Sequence, residues 1–137
     1  VRAMANDATV YNEKLGKFDR ILCDVPCSGL GVIRRKPEIR FKDPAEISTL
    51  PKIQYKIAST SAGYLKDGGT MIYSTCTLSK EENEQVVKRL MEEDGLVPCE
   101  LPEELKKYSK DGYSVTLMPG EINSDGFYFA KLRKEVK

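Results

Sequence analysis

Three residues of this sequence have types and positions that could do covalent chemistry: Asp24, Cys27 and Cys76. Asp24 and Cys27 stand in residues 18–41, FDRILCDVPCSGLGVIRRKPEIRF, and Cys76 stands in residues 73–77, YSTCT. Each stretch begins as a short apolar run of strand type and ends on a cysteine in a tight polar turn. Ligands and chemistry collect at the strand ends of an open α/β sheet, so two thiols delivered there can face one site. A thiolate is a strong nucleophile, but an ordinary thiol pKa near ~8.5 leaves little of it at neutral pH. The chain has no histidine, which removes imidazole as the activating partner and with it any Ser/His/Asp, Cys/His or mixed Cys/His zinc arrangement. Backbone donors and helix N-termini remain as means of favouring a thiolate. Cys76 precedes Ser79-Lys80-Glu81-Glu82, which reads as a capping box opening a helix, and Cys27 lies in the Gly-rich turn Cys27-Ser28-Gly29-Leu30-Gly31. A short-turn cysteine also serves as a small buried residue, and that reading stays open for both. It is the favoured one for Cys23, on a strand, and for Cys99.

Asp24 closes an otherwise apolar strand, where burying a carboxylate is costly unless it has a partner or a task. It could hold a nucleobase or an amine, or cap the turn that follows. Arg34, Arg35 and Lys36, with Arg40 beyond them, form a local basic stretch suited to phosphate contact or to simple solvation. The formal net charge is only +1, so a face for nucleic acid has to be local rather than a property of the whole chain.

The elements that position these residues follow from periodicity. Residues 1–6 read as a strand end with Asp7 just past it. Residues 20–25 read as a strand buried on both faces, stopped by Pro26. Asp43-Pro44-Ala45-Glu46 reads as a capped helix start, and Pro51 as the opening of a second helix whose apolar face is Ile53, Ile57, Ala58, Ser61, Tyr64 and Leu65. Lys66-Asp67-Gly68-Gly69 ends that helix. Residues 70–73 form the next strand, and the helix after the capping box carries Val86, Val87, Leu90 and Met91 inward, with Gly95 as its left-handed end residue. Residues 96–100 form a possible strand and 101–112 a charged connection. Residues 113–117 and 127–132 form an antiparallel pair joined by the turn-rich 118–126. Strand, helix, strand, helix and a closing antiparallel strand describe the second half of a doubly wound α/β sheet.

The 137 residues, 40% hydrophobic and 31% charged, suit one ordered domain with a modest core. Four cysteines without disulfide-dense spacing point to reduced thiols in a cytoplasmic setting, and no apolar run approaches the ~20 residues that cross a bilayer. The opening residues read as a strand entered from its middle, so the chain is expected to be a piece of something longer.

Several motifs then match a known family. Asp-Val-Pro-Cys-Ser-Gly at 24–29, Gly-Val-Ile-Arg-Arg-Lys-Pro-Glu-Ile at 31–39, Leu-Lys-Asp-Gly-Gly at 65–69, Tyr-Ser-Thr-Cys-Thr at 73–77, Glu-Glu-Asn at 81–83 and Asp-Gly-Phe-Tyr-Phe-Ala-Lys-Leu at 125–132 resemble the RNA cytosine-5 methyltransferases, most of all the bacterial small-subunit ribosomal RNA enzymes of the Sun/RsmB type. Val25 stands where the family usually has alanine, and Thr77 where serine is common. The resemblance implies a Rossmann-like fold that uses S-adenosylmethionine. It implies Cys76 as the nucleophile toward carbon 6 of a flipped-out cytosine, Cys27 as the second cysteine that assists product release, and Asp24 as the residue holding the base edge and bordering the cofactor. Asp7 matches the acidic residue near the adenine, and the basic residues Arg34, Arg35, Lys36 and Arg40 are expected to meet ribosomal RNA. No G-x-G-x-x-G or similar cofactor turn occurs in the chain. Residues 1–137 are therefore expected to form the carboxyl part of a catalytic domain, with an incomplete cofactor site, weak cofactor binding and no activity alone, and with an unpaired sheet edge that invites self-association. Two other functions fit the residues: a thiol redox or metal-sensing module using Cys27 and Cys76, and a non-catalytic RNA-binding module.

Overall fold

The computed structural model describes residues 1–32, 35–120 and 125–136, and no side-chain placement is given for Arg40 and Phe41. Arg34 therefore lies outside the described residues, as do residues 121–124 of the expected turn. Within them the chain forms β1 (Phe18–Asp24), α1 (Pro44–Ala62), β2 (Leu65–Thr75), α2 (Glu84–Glu93), β3 (Leu96–Pro98), α3 (Glu103–Lys106), β4 (Ser114–Leu117) and β5 (Phe127–Lys134). The strands make one sheet in the order β1-β2-β5-β3, with β4 also on β5. β1 and β2 are parallel neighbours, with Cys23 opposite Tyr73 and Asp24 opposite Ser74. β5 runs antiparallel to β2, and its far edge is shared: β4 pairs with residues 127–130 and β3 with residues 132–134. This is the expected α/β order with its closing antiparallel strands. Among the described residues, no helix is long and apolar enough to cross a membrane.

Alternation along the strands puts Met71, Tyr73 and Thr75 of β2 and Tyr128, Ala130 and Leu132 of β5 on one face, all buried. α1 brings Ala58 and Ala62 to that face, and α2 brings Val86, Val87 and Leu90, so one core forms between helices and sheet. Removing a Leu-sized side chain from water contributes about 1.5–3 kcal/mol each, and Leu65, Leu90 and Leu132 are at most 1% exposed.

Four local expectations are corrected. Residues 1–6 form no strand and are exposed, because none of the described strands pairs with them to satisfy their backbone. β1 is not buried on both faces: Ile21 and Cys23 face the core, while Phe18 and Leu22 are exposed, Leu22 at 71%. Among the described residues nothing covers Leu22 on that outer side, and β1 pairs with β2 alone. Pro51 does not open a second helix; it lies inside α1. A helix-interior proline costs ~3 kcal/mol, which the packing of the following turns offsets. Their buried side chains are Gln54, Ala58 and Ala62, four residues apart, and Ile53 points outward. Finally, Lys66-Asp67-Gly68-Gly69 does not end the helix. α1 stops at Ala62, and those four residues bulge out of β2, where pairing jumps from Phe18 opposite Leu65 to Arg20 opposite Thr70. Gly68, at φ 81°, supplies the left-handed backbone that the bulge needs.

Candidate active site

Because β1 and β2 are adjacent and parallel, their carboxyl ends lie side by side, and the chain leaves both in polar turns. Pro26 ends β1, and the Val25 N–H makes the last ladder bond, to the Ser74 carbonyl at 3.2 Å. The two turns then meet. Cys27 Sγ and Cys76 Sγ are 3.0 Å apart, and the Cys76 N–H points at Cys27 Sγ at 3.4 Å. That separation is about 1 Å longer than the ~2.05 Å of a disulfide bond, and both thiols are free and partly exposed. Cys23 is buried in the core, and Cys99 stands apart beside β5, its N–H bonded to the Lys131 carbonyl.

The two sulfurs are not equivalent. Burial, reinforced by the neighbouring Cys76 sulfur, pushes the Cys27 thiol well above the ordinary range, outweighing the backbone donors of Cys76 and Gly29 that favour its thiolate. Burial thus outweighs the backbone donors that the Gly-rich turn was expected to offer Cys27, and either sulfur of the pair can be the donor. Since only thiolate reacts with iodoacetamide, Cys27 should alkylate slowly at pH 8 and speed up only at more alkaline pH than a free cysteine needs. Peptide mapping of alkylation against pH measures this, and a Cys27 profile matching that of an unstructured cysteine would contradict it.

The expected capping box is also absent. α2 begins only at Glu84, with Asn83 as its N-cap residue, and the Asn83 side chain bonds Thr75 and Thr77 on either side of Cys76. Ser79 Oγ bonds the exposed Glu81 carboxylate instead. Glu82, read from sequence as the reciprocal cap, is 1% exposed and turns toward the cysteine turns. Its carboxylate accepts from Ser28 N–H at 2.8 Å, Ser28 Oγ at 2.7 Å, Gln54 Nε2 at 3.0 Å and Thr77 Oγ1 at 3.3 Å. Ser28 Oγ and Thr77 Oγ1 are 2.7 Å apart, and Gln54 Nε2 also donates to the Pro26 carbonyl. Asn83, also buried, accepts from Thr75 Oγ1 at 2.6 Å and donates to the Thr77 carbonyl. Glu82, Ser28, Thr77 and Gln54 are the site residues that sequence reasoning missed. A signal existed: Ser28 and Thr77 each directly follow one of the two cysteines.

Asp24 is exposed rather than buried, and its carboxylate accepts from Ser74 Oγ at 3.0 Å, not from either thiol. Exposure removes the desolvation argument and leaves the second carboxylate oxygen open to a ligand. Asp7 is exposed beside a shallow cleft of ≈ 490 Å³ lined by Val10, Tyr11 and Asn12. Its Oδ1 accepts from both Thr9 N–H and Thr9 Oγ1, which hold its carboxyl below the usual range. In the basic stretch, Lys36 is exposed and Arg35 reaches Asp125 at 2.8 Å. Gly126, next to Asp125, donates its N–H to the Gly31 carbonyl at 2.7 Å, and Gly31 N–H donates to the Cys76 carbonyl at 2.9 Å. The C-terminal Asp-Gly thus closes over both cysteine turns. Among the described residues, no group of three or more Cys, Asp and Glu side chains is gathered as for a metal ion.

Comparison with known proteins converges on one family. The family model described as 16S rRNA methyltransferase RsmB/F matches residues 1–133. The probable ribosomal RNA small subunit methyltransferase B of Bacillus subtilis is 39% identical over 134 residues, covering 93% of this chain and 29% of that protein. The ribosomal RNA small subunit methyltransferase B of Vibrio vulnificus is 38% identical over 120 residues, 87% of this chain and 27% of that protein. Among solved structures, PH0851 superposes with a TM-score of 0.85 at 27% identity, covering 96% of this chain and 30% of that one. NSun6 from Pyrococcus horikoshii with SFG gives 0.81 at 30% identity, covering 98% and 34%. The chain thus spans under a third of the length of these two curated relatives. A parallel strand pair ending in two touching thiols, on a sheet shared with these structures and within a family match over residues 1–133, shows that the chain belongs to the 16S rRNA methyltransferase RsmB/F family.

Proposed function

We propose that this chain carries the thiol half of the active site of an S-adenosylmethionine-dependent enzyme that methylates carbon 5 of a cytosine in small-subunit ribosomal RNA. The observation that carries the reading is the 3.0 Å contact between Cys27 and Cys76 at the ends of two parallel strands. Cys76 adds as a thiolate to carbon 6 of the cytosine, which makes carbon 5 electron-rich and divides one hard step into two easier ones. The base must leave its stack to be reached, and Asp24, an exposed carboxylate at the same strand ends, is assigned to hold its edge. Once carbon 5 carries the methyl group, its proton passes to solvent at the partly exposed turns, the C–H electron pair re-forms the ring double bond and Cys76 leaves as thiolate, with the Cys27 S–H assigned to hydrogen-bond the departing sulfur. Lys36 and Arg35, with Arg34 and Arg40, are assigned to RNA phosphates.

The residues present fit part of the cofactor. Asp7 keeps Oδ2 open to an exocyclic amine beside a cleft, and Asp24 keeps one oxygen for a polar edge. S-adenosylmethionine, when bound, supplies an electrophilic methyl group. A solved relative carries SFG, an analogue of that cofactor. We assign residues 1–137 to the carboxyl part of the catalytic domain and the Gly-rich remainder of the cofactor site to sequence outside them.

The test gives isotopically labelled S-adenosylmethionine and 16S rRNA to the chain joined to such a Gly-rich half-domain, and locates the label in digested RNA. 5-Methylcytosine is the expected product, and label on another base or another ring atom would overturn the reading. The same sulfur contact favours a second function, a thiol redox module. That reading requires activity to depend on a Cys27–Cys76 disulfide, so methylation under full reduction excludes it.

A further inference from the structure

The most heavily bonded buried side chain outside the reacting groups is Glu82. It accepts four hydrogen bonds, from Ser28 N–H, Ser28 Oγ, Thr77 Oγ1 and Gln54 Nε2, and Glu82 and these three partner residues are each at most 1% exposed. Among the described residues it has no salt-bridge partner, while Lys42 Nζ reaches only the neighbouring Ser28 carbonyl, at 3.2 Å. Its backbone is held as well, by Tyr73 Oη donating to the Glu82 carbonyl at 2.5 Å.

A buried carboxylate without a counter-charge is expensive for stability, and an apolar side chain of the same volume is often the more stabilising choice. Where this one is spent is informative. Ser28 follows Cys27 and Thr77 follows Cys76, so one carboxylate grips both cysteine turns a single residue beyond each sulfur. Gln54 adds the third strut: it donates to Glu82 and to the carbonyl of Pro26, the residue before Cys27. β1 and β2 fix only where the two turns start. The relative placement of Cys27 and Cys76 beyond the strands depends on this clamp, since the described bonds between the turns are otherwise the Ser28 Oγ–Thr77 Oγ1 contact that Glu82 holds in place, the sulfur contact, Cys76 N–H to Cys27 Sγ and Gly31 N–H to the Cys76 carbonyl.

We infer that Glu82 is a positioning residue that sets the distance between Cys27 and Cys76. Its link to catalysis rests on the proposed role of that pair, but its geometry can be tested without any methyl transfer. Diamide takes two electrons and two protons from a pair of close thiols and is reduced to the hydrazine, leaving a disulfide. The rate of Cys27–Cys76 cross-linking in this chain therefore reports their separation.

Glu82→Ala should cross-link at least about tenfold more slowly than the wild type while retaining its circular dichroism spectrum, misplacement of reacting atoms by ~1 Å being worth up to about 10²-fold. Glu82→Gln should recover most of the rate. Its amide oxygen can accept from Ser28 N–H and Gln54, and its NH₂ can donate to the Ser28 hydroxyl, which then turns toward Thr77. A folded Glu82→Ala chain that cross-links at the wild-type rate would overturn the inference. If that variant does not fold, Ser28→Ala combined with Thr77→Val removes the hydroxyl bonds and leaves the backbone bond, with the same slowing expected and an unchanged rate equally fatal. In the completed enzyme, Glu82→Gln should restore kcat relative to Glu82→Ala with little change in KM. Slowed cross-linking with unaltered methylation would leave the clamp standing and remove the proposed role of the cysteine pair.

Discussion

Cys76→Ala is expected to lose methyl transfer altogether, while Cys27→Ala is expected to transfer the methyl group once and then keep the RNA covalently attached. The contrast follows from the asymmetry of two sulfurs 3.0 Å apart. With Cys76 as the proposed nucleophile, its removal removes the adduct itself, and loss of a group that forms a covalent intermediate lowers the rate by at least about 10³-fold. In the proposed mechanism, removing Cys27 leaves attack intact but strips the departing Cys76 sulfur of the S–H beside it, a thiol whose ionisation burial disfavours. A hydrogen bond to a charged group is worth about 1.5–3 kcal/mol, so breakdown should slow by roughly 10- to 100-fold. Denaturing gels of the completed enzyme mixed with labelled ribosomal RNA should show a retarded protein–RNA band that persists for Cys27→Ala and never forms for Cys76→Ala. An adduct formed by Cys76→Ala, or wild-type turnover by Cys27→Ala, would sink the assignment.

Much of this site was legible in the sequence because its start is set by local rules. An apolar run ended by Pro26 and another ended by Ser74-Thr75-Cys76 become parallel neighbours, and parallel neighbours bring their carboxyl ends together. The Asp43 cap, accepting from Ala45 N–H at 2.9 Å, and Gly95 at φ 67° also behave as their residue types require. What was not legible depends on tertiary choice. Ser-x-x-Glu is a capping box only if the glutamate has nothing better to bind, and Glu82 has four buried donors. Pro51 is a helix start only if the preceding turns cannot form, and the Asp43 cap forms them. Gln54 occupies the inward face of α1 because its amide meets Pro26 and Glu82, partners that lie 28 residues away in sequence on each side. β1 reads as buried on both faces from its composition, yet composition records what a strand can bury and not what packs on it.

Gly31→Ala should be the most disruptive change of a single methyl group in the molecule, and its cost has nothing to do with backbone conformation. A Cβ at residue 31 would lie 2.2 Å from the Gly126 carbonyl oxygen and 2.7 Å from the Cys76 carbonyl oxygen. Both are backbone atoms, so no side-chain rotation can relieve the overlap. Gly31 is also the hub of two short bonds, its N–H to Cys76 and its carbonyl from Gly126, which draw the three segments together over the thiols. Overpacking of this kind costs typically about 1–3 kcal/mol and occasionally more, and the strain can be released only by moving the Cys76 turn or lifting Gly126. The expected result is a lower melting temperature together with slower diamide cross-linking of Cys27 to Cys76. Gly112→Ala is the contrasting case: Gly112 has φ +86° and nothing within 4 Å of its would-be Cβ, so the substitution carries the left-handed backbone penalty of about 1–2 kcal/mol and leaves the sulfur contact alone. If Gly31→Ala cross-links as fast as Gly112→Ala at equal stability, then the Gly126 segment does not hold the cysteine turns in place, and the closure of the C-terminal Asp-Gly over the site has no bearing on its chemistry.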